Sequence, residues 1–210
     1  MQITGKNNSI FEKVKRIYSM FLNDKLALIS IIFLIFIFII AIFGPSLTSN
    51  SFTKMNLRLR NLAPFSFDHN LMYFLGADAL GRSMIARLII GTQNTMFIAA
   101  SAVLLSMTFG GVLGLMSGYF GGKVGNFIMR LADVIMSFPS LLLAVIVLYM
   151  FDPGLINLVM VLAFTRMPIY MRTARAEVLE IRERLFVAAA VSMGASHLRI
   201  IFKHIAPLTI

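Results

Sequence analysis

The sequence predicts an all-α fold, a polytopic transmembrane helical bundle, and three observations carry that prediction. Of the 210 residues 59% are hydrophobic and only 13% charged, and the mean hydropathy is +0.86, far above soluble domains. Long uncharged runs alternate with short basic stretches, so the net charge of +10 orients helices in a bilayer rather than gathering into a nucleic-acid face. There is no Cys, which removes disulfides, thiol catalysis and zinc knuckles. The three His show no metal-ligand spacing, and no cofactor is expected.

Residues 1–25 form a basic segment, and 26–43 the first span: Leu26 to Phe43 covers about 27 Å at 1.5 Å per residue and ends in Gly44-Pro45 without a cleavage-site pattern. Residues 44–95 read as a long loop with an interfacial segment. Three further spans occupy 96–171. Met96 to Met116 lies in a window free of charge between Arg87 and Lys123, preceded by the polar Gln93, Asn94 and Thr95. Phe127 to Tyr149 carries Arg130 and Asp133 near its start and Pro139 inside, where a missing amide donor predicts a kink. A tight turn at Asp152-Pro153-Gly154 leads into Leu155 to Met171, interrupted by Arg166 and Pro168. With the termini in the cytoplasm, only Lys54, Arg58, Arg60, Arg82 and Arg87 of the 19 basic residues lie outside, as the positive-inside rule requires.

Ala102, Ser106, Gly110, Gly114, Gly118 and Gly122 recur every four positions and predict one ridge of small side chains. Such a ridge serves close helix packing or lines a path for solute. Gly121-Gly122-Lys123 lacks the other positions of a phosphate-binding loop, and His69, His197 and His204 adjoin no nucleophile motif, so no enzyme is expected. Arg130 with Asp133, and Glu180 with Arg184, are spaced to pair along a helix, and Asp78 and Arg82, four apart, cap and brace an interfacial segment outside rather than bind substrate. Arg166, about 9 Å deeper than Arg172 along a helix, either snorkels to the interface or faces a wet path and attracts a carboxylate. Residues 172–210 read as a loop on the cytoplasmic side: an amphipathic helix to Phe186, then the small apolar run Val187 to Gly194, which suits docking into a groove of a partner. Gly194 provides a close turn or ends a helix.

Here the chain resembles the inner-membrane permease subunits of ABC importers, in the second-permease type of the dipeptide/oligopeptide/nickel branch. The family's E-A-A loop, with Gly four residues after its last Ala and Pro thirteen beyond that, is matched by Ala188, Ala189, Ala190, Gly194 and Pro207. Ala188 stands where the family has Glu, and Ala206 where Leu usually precedes the Pro. Leu75–Arg87 (LGADALGRSMIAR) is similar to the L-G-T-D-x-x-G-R-D-x-x-S-R segment; Gly118–Gly122, Met129–Asp133, Phe138–Ala144 and the Asn23–Leu28 entry match as well. The resemblance implies ATP-driven import of peptides, or of small solutes such as nickel chelates, with three kinds of partner besides the lipid bilayer: a homologous permease, two cytoplasmic ATPase subunits and an extracytoplasmic substrate-binding protein, and no nucleic acid. It implies six spans, so a chain ending at Ile210 reads as truncated. A remnant of such a permease, or a secondary transporter, are the competing expectations.

Overall fold

The computed structural model describes residues 24–48, 52–66, 70–151 and 154–209. Most of the basic N-terminal segment, His69 and the Asp152-Pro153 turn lie outside the described residues. The chain divides into two compact units, one up to Met96 and one from Phe97.

In the first unit, α1 (Lys25–Leu47) begins at Asp24, whose carboxylate accepts from the N–H groups of Leu26 and Ala27 at 3.0 and 3.2 Å, the arrangement of an N-cap. The helix runs past Gly44 and through Pro45, four residues beyond the predicted span. Two short 3-10 turns follow (Leu57–Leu59 and Leu71–Tyr73), each capped by an Asn side chain, Asn56 and Asn70. The loop closes on an antiparallel bridge between Ala77 and Ser83. Asp78 sits at its centre. Its carboxylate accepts from the N–H groups of Leu80 and Arg82 at 2.9 Å and pairs with the guanidinium groups of Arg82 and Arg87 at 2.8 Å. The predicted Asp78–Arg82 brace is therefore present, with Arg87 added. These hydrogen bonds, those from Arg82 foremost, lower the carboxyl's pKa from 3.8 to about 2.

α2 (Met84–Phe120) has 37 residues, about 55 Å at 1.5 Å per residue, and so exceeds the ~30 Å hydrocarbon core. Gln93, Asn94 and Thr95, expected in the loop, are helical: the helix begins twelve residues before Met96. Gly121 and Gly122, at φ +58° and +49°, then turn the chain. Consecutive left-handed residues are open to Gly at little cost.

The second unit is helical bundle. α3 (Gly122–Ser137) and α4 (Ser140–Met150) meet at 81°. The expected kink at Pro139 is thus a complete break. Proline forces its predecessor out of the α region, and Phe138 is extended at ψ 134°, which stops the helix two residues before the ring. α5 (Leu155–Arg182) is continuous for 28 residues, so the fourth span and the amphipathic stretch expected after it are one helix, with Pro168 buried inside. α3 and α4 both pack on α5. Among the described residues three helices, α1, α2 and α5, are long and apolar enough to cross a membrane; the bent α3–α4 pair makes a fourth crossing if it is one broken span.

α6 (Leu185–Ser192) follows, then a short C-terminal helix that is α at His197–Arg199, π-wound at Ile200–Ile205 and 3-10 at Ala206–Leu208. The π winding places Ile200, Ile201 and Ile205 on one fully buried face. They join Val187 and Ala190 of α6, Val178 and Ile181 of α5 and Leu115 of α2 in one apolar cluster. A second cluster holds Ile128 and Ala132 of α3 against Met171 of α5.

Candidate functional site

The small ridge of α2 is a helix-packing surface. A Cβ at Gly110 would lie 2.6 Å from the Met167 carbonyl oxygen, one at Gly114 2.5 Å from that of Met171, and one at Gly118 2.7 Å from Val178 Cβ. The carbonyls met, those of Met167, Met171 and then Arg175 at 3.1 Å from a Cβ on Gly118, advance one turn of α5 for each turn of α2, as in small-xxx-small crossings. Ala102 and Ser106 are buried above it. Gly122 is not part of the ridge: α2 ends at Phe120, and a Cβ on Gly122 would meet nothing within 4 Å.

Three arginines of α5 tie this crossing to its neighbours. Arg172 pairs with Asp133 at 2.6 Å, so the expected Arg130–Asp133 pair is replaced by a contact across helices. Asp133 is reached by the crossing α5, and the pair along α3 does not form. Arg175 donates to the carbonyl of Gly125 at 3.1 Å, a group to which buried Ser117 also donates at 3.1 Å. Arg182 donates to the carbonyls of Gly118 and Tyr119 at 3.2 and 3.4 Å. These are among the last carbonyls of α2, unpaired within the helix and at its negative pole, where a cation is favourable. Sequence reasoning missed the roles of Arg175 and Arg182. Nothing local marks them, because their partners are 50 and 64 residues away.

The E-A-A-like segment is the short helix α6. Glu180 and Arg184 pair at 2.7 Å, as their spacing predicted, at its entry. Val187 and Ala190 face inward at 3% and 4% exposure, whereas Ala188, Ala189 and Ser192 face out, flanked by Leu185 at 89% and Met193 at 80%. Of the three alanines singled out, Ala190 is thus a packing residue. Gly194, at φ +76°, ends the helix. The N–H of Ala195 donates to Ala190 at 3.1 Å and that of Gly194 to Val191 at 2.9 Å, a Schellman closure. Pro207 is exposed in the final 3-10 turn. Between α6 and the end of α2 lies a cavity of about 550 Å³ lined by Tyr119, Phe120, Arg182, Ala188, Val191 and His197 among others. The Tyr119 hydroxyl and His197 Nδ1 lie 2.8 Å apart across it. The result is a firmly held helix whose outer face is small side chains framed by large apolar ones.

Arg166 lines a different cavity, of about 290 Å³, at the α3–α4 break, with Ile135, Met136, Phe138, Ser140, Thr165 and Ile169. Among the described residues no cluster of three or more potential metal ligands is present.

Span-length helices packed through an internal small-residue crossing define the class, a polytopic α-helical membrane protein. Residues 110–210 match the binding-protein-dependent transport system inner membrane component, and residues 14–64 match the N-terminal transmembrane domain of oligopeptide transport permease C. The chain belongs to this family of inner-membrane transport permeases, whose members are not themselves enzymes. It is 35% identical over 185 residues to the dipeptide transport system permease protein DppC of Alkalihalophilus pseudofirmus, covering 88% of this chain and 59% of that one. It is 32% identical over 187 residues to the oligopeptide transport system permease protein OppC of Bacillus subtilis, covering 89% and 57%. With the glutathione transport system permease protein GsiD of Escherichia coli the identity is 31% over 194 residues, covering 90% and 61%. The chain thus spans about three-fifths of the length of the curated relatives it matches.

Proposed function

We propose that this chain is a permease subunit of an ATP-driven importer that passes peptides across the cytoplasmic membrane. It works with a homologous permease, two cytoplasmic ATPase subunits and an extracytoplasmic binding protein, and the N-terminus and residues 172–210 lie in the cytoplasm. The names of the relatives, which carry dipeptides, oligopeptides and glutathione, support peptides as the solute.

One observation carries the coupling role: α6 is anchored on its inner side by Val187 and Ala190 and offers Ala188, Ala189 and Ser192 outward between Leu185 and Met193. A small face lets another backbone approach closely, and the flanking apolar side chains give the contact its area. Closing of the ATPases displaces α6 and the Gly194 turn. The displacement passes through the shared apolar cluster to Val178 and Ile181 of α5, and from α5 to α2 along the Gly110–Gly114–Gly118 crossing. Rigid helices joined by close contacts move as bodies, the hinge-and-shear kind of transition.

The test is purification of the assembled transporter through a tag on this chain, comparing wild type with Ala188→Arg. Recovery of the ATPases with wild type, and their loss with the variant, is expected. ATPases that never co-purify, or that bind the variant equally well, would refute the coupling surface.

A further inference from the structure

The geometry points to the Arg166 cavity as a carboxylate-binding subsite for the terminal carboxyl group of the transported peptide. This rests on the reading of the chain as a peptide permease subunit.

Arg166 differs from the other arginines of α5. Arg172, Arg175 and Arg182 each hold a carboxylate or a backbone carbonyl, whereas among the described residues Arg166 has no hydrogen bond or ion pair. It lies about 9 Å deeper along the helix than Arg172, in the apolar half of a span-length element. An ionised group at such a depth is costly unless it meets water or a counter-charge, which makes it a functional-site candidate by default. Among the described residues no acidic side chain lines this cavity. Its polar lining is Arg166, Ser140 and Thr165, the last with its hydroxyl donating to the Leu162 carbonyl at 3.1 Å, so the guanidinium and the Ser140 hydroxyl are the donors on offer, and the remainder is Ile135, Met136, Phe138 and Ile169. That combination suits an oxyanion attached to an apolar body. The broken helix opens this space: Ser140 is the first residue of α4, which starts without a side-chain cap, so its first N–H groups add positive potential on the same side. At about 290 Å³ the cavity matches the small end of ligand pockets, roughly 300–1,000 Å³, and takes one terminal residue rather than a whole oligopeptide.

The absence of cysteine allows a direct test. Ser140→Cys places a single thiol in this chain on the cavity wall, and labelling is followed in membranes holding the assembled transporter. A sulfonate-bearing methanethiosulfonate should react faster than its trimethylammonium counterpart. Arg166→Gln should abolish the preference and Arg166→Lys retain it, and alanyl-alanine but not its C-terminal amide should protect the thiol. In ATP-driven uptake, loss of a charge-assisted hydrogen bond should raise the KM for alanyl-alanine about ten- to hundredfold in Arg166→Gln and erase the preference for acid over amide. Equal labelling by the two reagents, a preference unchanged by Arg166→Gln, or equal protection by acid and amide would overturn the subsite. So would a thiol that reacts only after phospholipid is stripped, which would assign the guanidinium to a lipid headgroup. Failure of the wild-type complex to move either peptide would refute the permease reading alone, since labelling and protection still decide the subsite.

Discussion

Replacing Gly114 with Ala tests whether the α2–α5 crossing holds the second unit together. The added Cβ would stand 2.5 Å from the Met171 carbonyl oxygen, 2.7 Å from Ala174 Cβ and 3.1 Å from Met171 Cα. Two of these are backbone atoms and the third is a Cβ, so no rotamer change relieves the contact. An ordinary separation of 3.4 Å requires the helices to part by about 0.9 Å, which also loosens the contacts at Gly110 and Gly118. Overpacking of this kind costs about 1–3 kcal/mol. At roughly 2–4 °C per kcal/mol for a chain of this size, Tm in detergent falls by about 4–8 °C for a central value of ~2 kcal/mol. Gly111→Ala is the control, because a Cβ there meets nothing within 4 Å. Both variants gain up to about 1 kcal/mol of helix propensity, so the difference between them isolates the clash. A thermal-unfolding series on the purified protein reads both. A Gly114→Ala variant as stable as Gly111→Ala would refute the close crossing.

Two further outcomes follow from the charged groups. Asp133 and Arg172 are both about half exposed, at 51%, so their pairing is screened and worth at most about 1 kcal/mol; a double-mutant cycle should find coupling between these two and none between Asp133 and Arg130. The pKa of Asp78 is lower in the folded loop than in the unfolded chain, so its stabilising contribution is complete above 3.8 and is lost as the pH falls from 3.8 through about 2. Limited proteolysis of the loop between Leu47 and Met84 should therefore be independent of pH from 7 down to about 4 and accelerate below it, and Asp78→Asn should be susceptible across the whole range.

Much of the fold was legible because its signals are local. The α1 and α2 spans follow from apolar length, and a bend near Pro139 from its missing amide donor, although the sequence predicted a kink where the structure has a complete break. The Glu180–Arg184 and Asp78–Arg82 pairs follow from four-residue spacing, and the end of α6 from Gly194. Their boundaries were less legible. α2 reaches back to Met84 and α5 on to Arg182 because polar residues continue a helix as well as apolar ones do once it is nucleated, so hydropathy marks the membrane-crossing part and not the helix end. The small ridge was visible as a pattern, but whether it packed or lined a path was decided by the approach of Met167, Met171 and Val178.

By itself, then, the sequence determined the helical class, the apolar spans, the breaks and the small-residue faces, since each depends on backbone preference and on the transfer of contiguous side chains out of water. Only the tertiary structure decided which charges meet across helices. Asp133 is equally available to Arg130 along its own helix and to Arg172 across the crossing, and it is the rotation of α5 against α3 that brings Arg172 to 2.6 Å. The same rotation carries Arg175 to Gly125 and Arg182 to the end of α2, and leaves Arg166 facing the break between α3 and α4. Helix rotation and crossing depend on contacts between residues distant in the chain, which no local pattern contains.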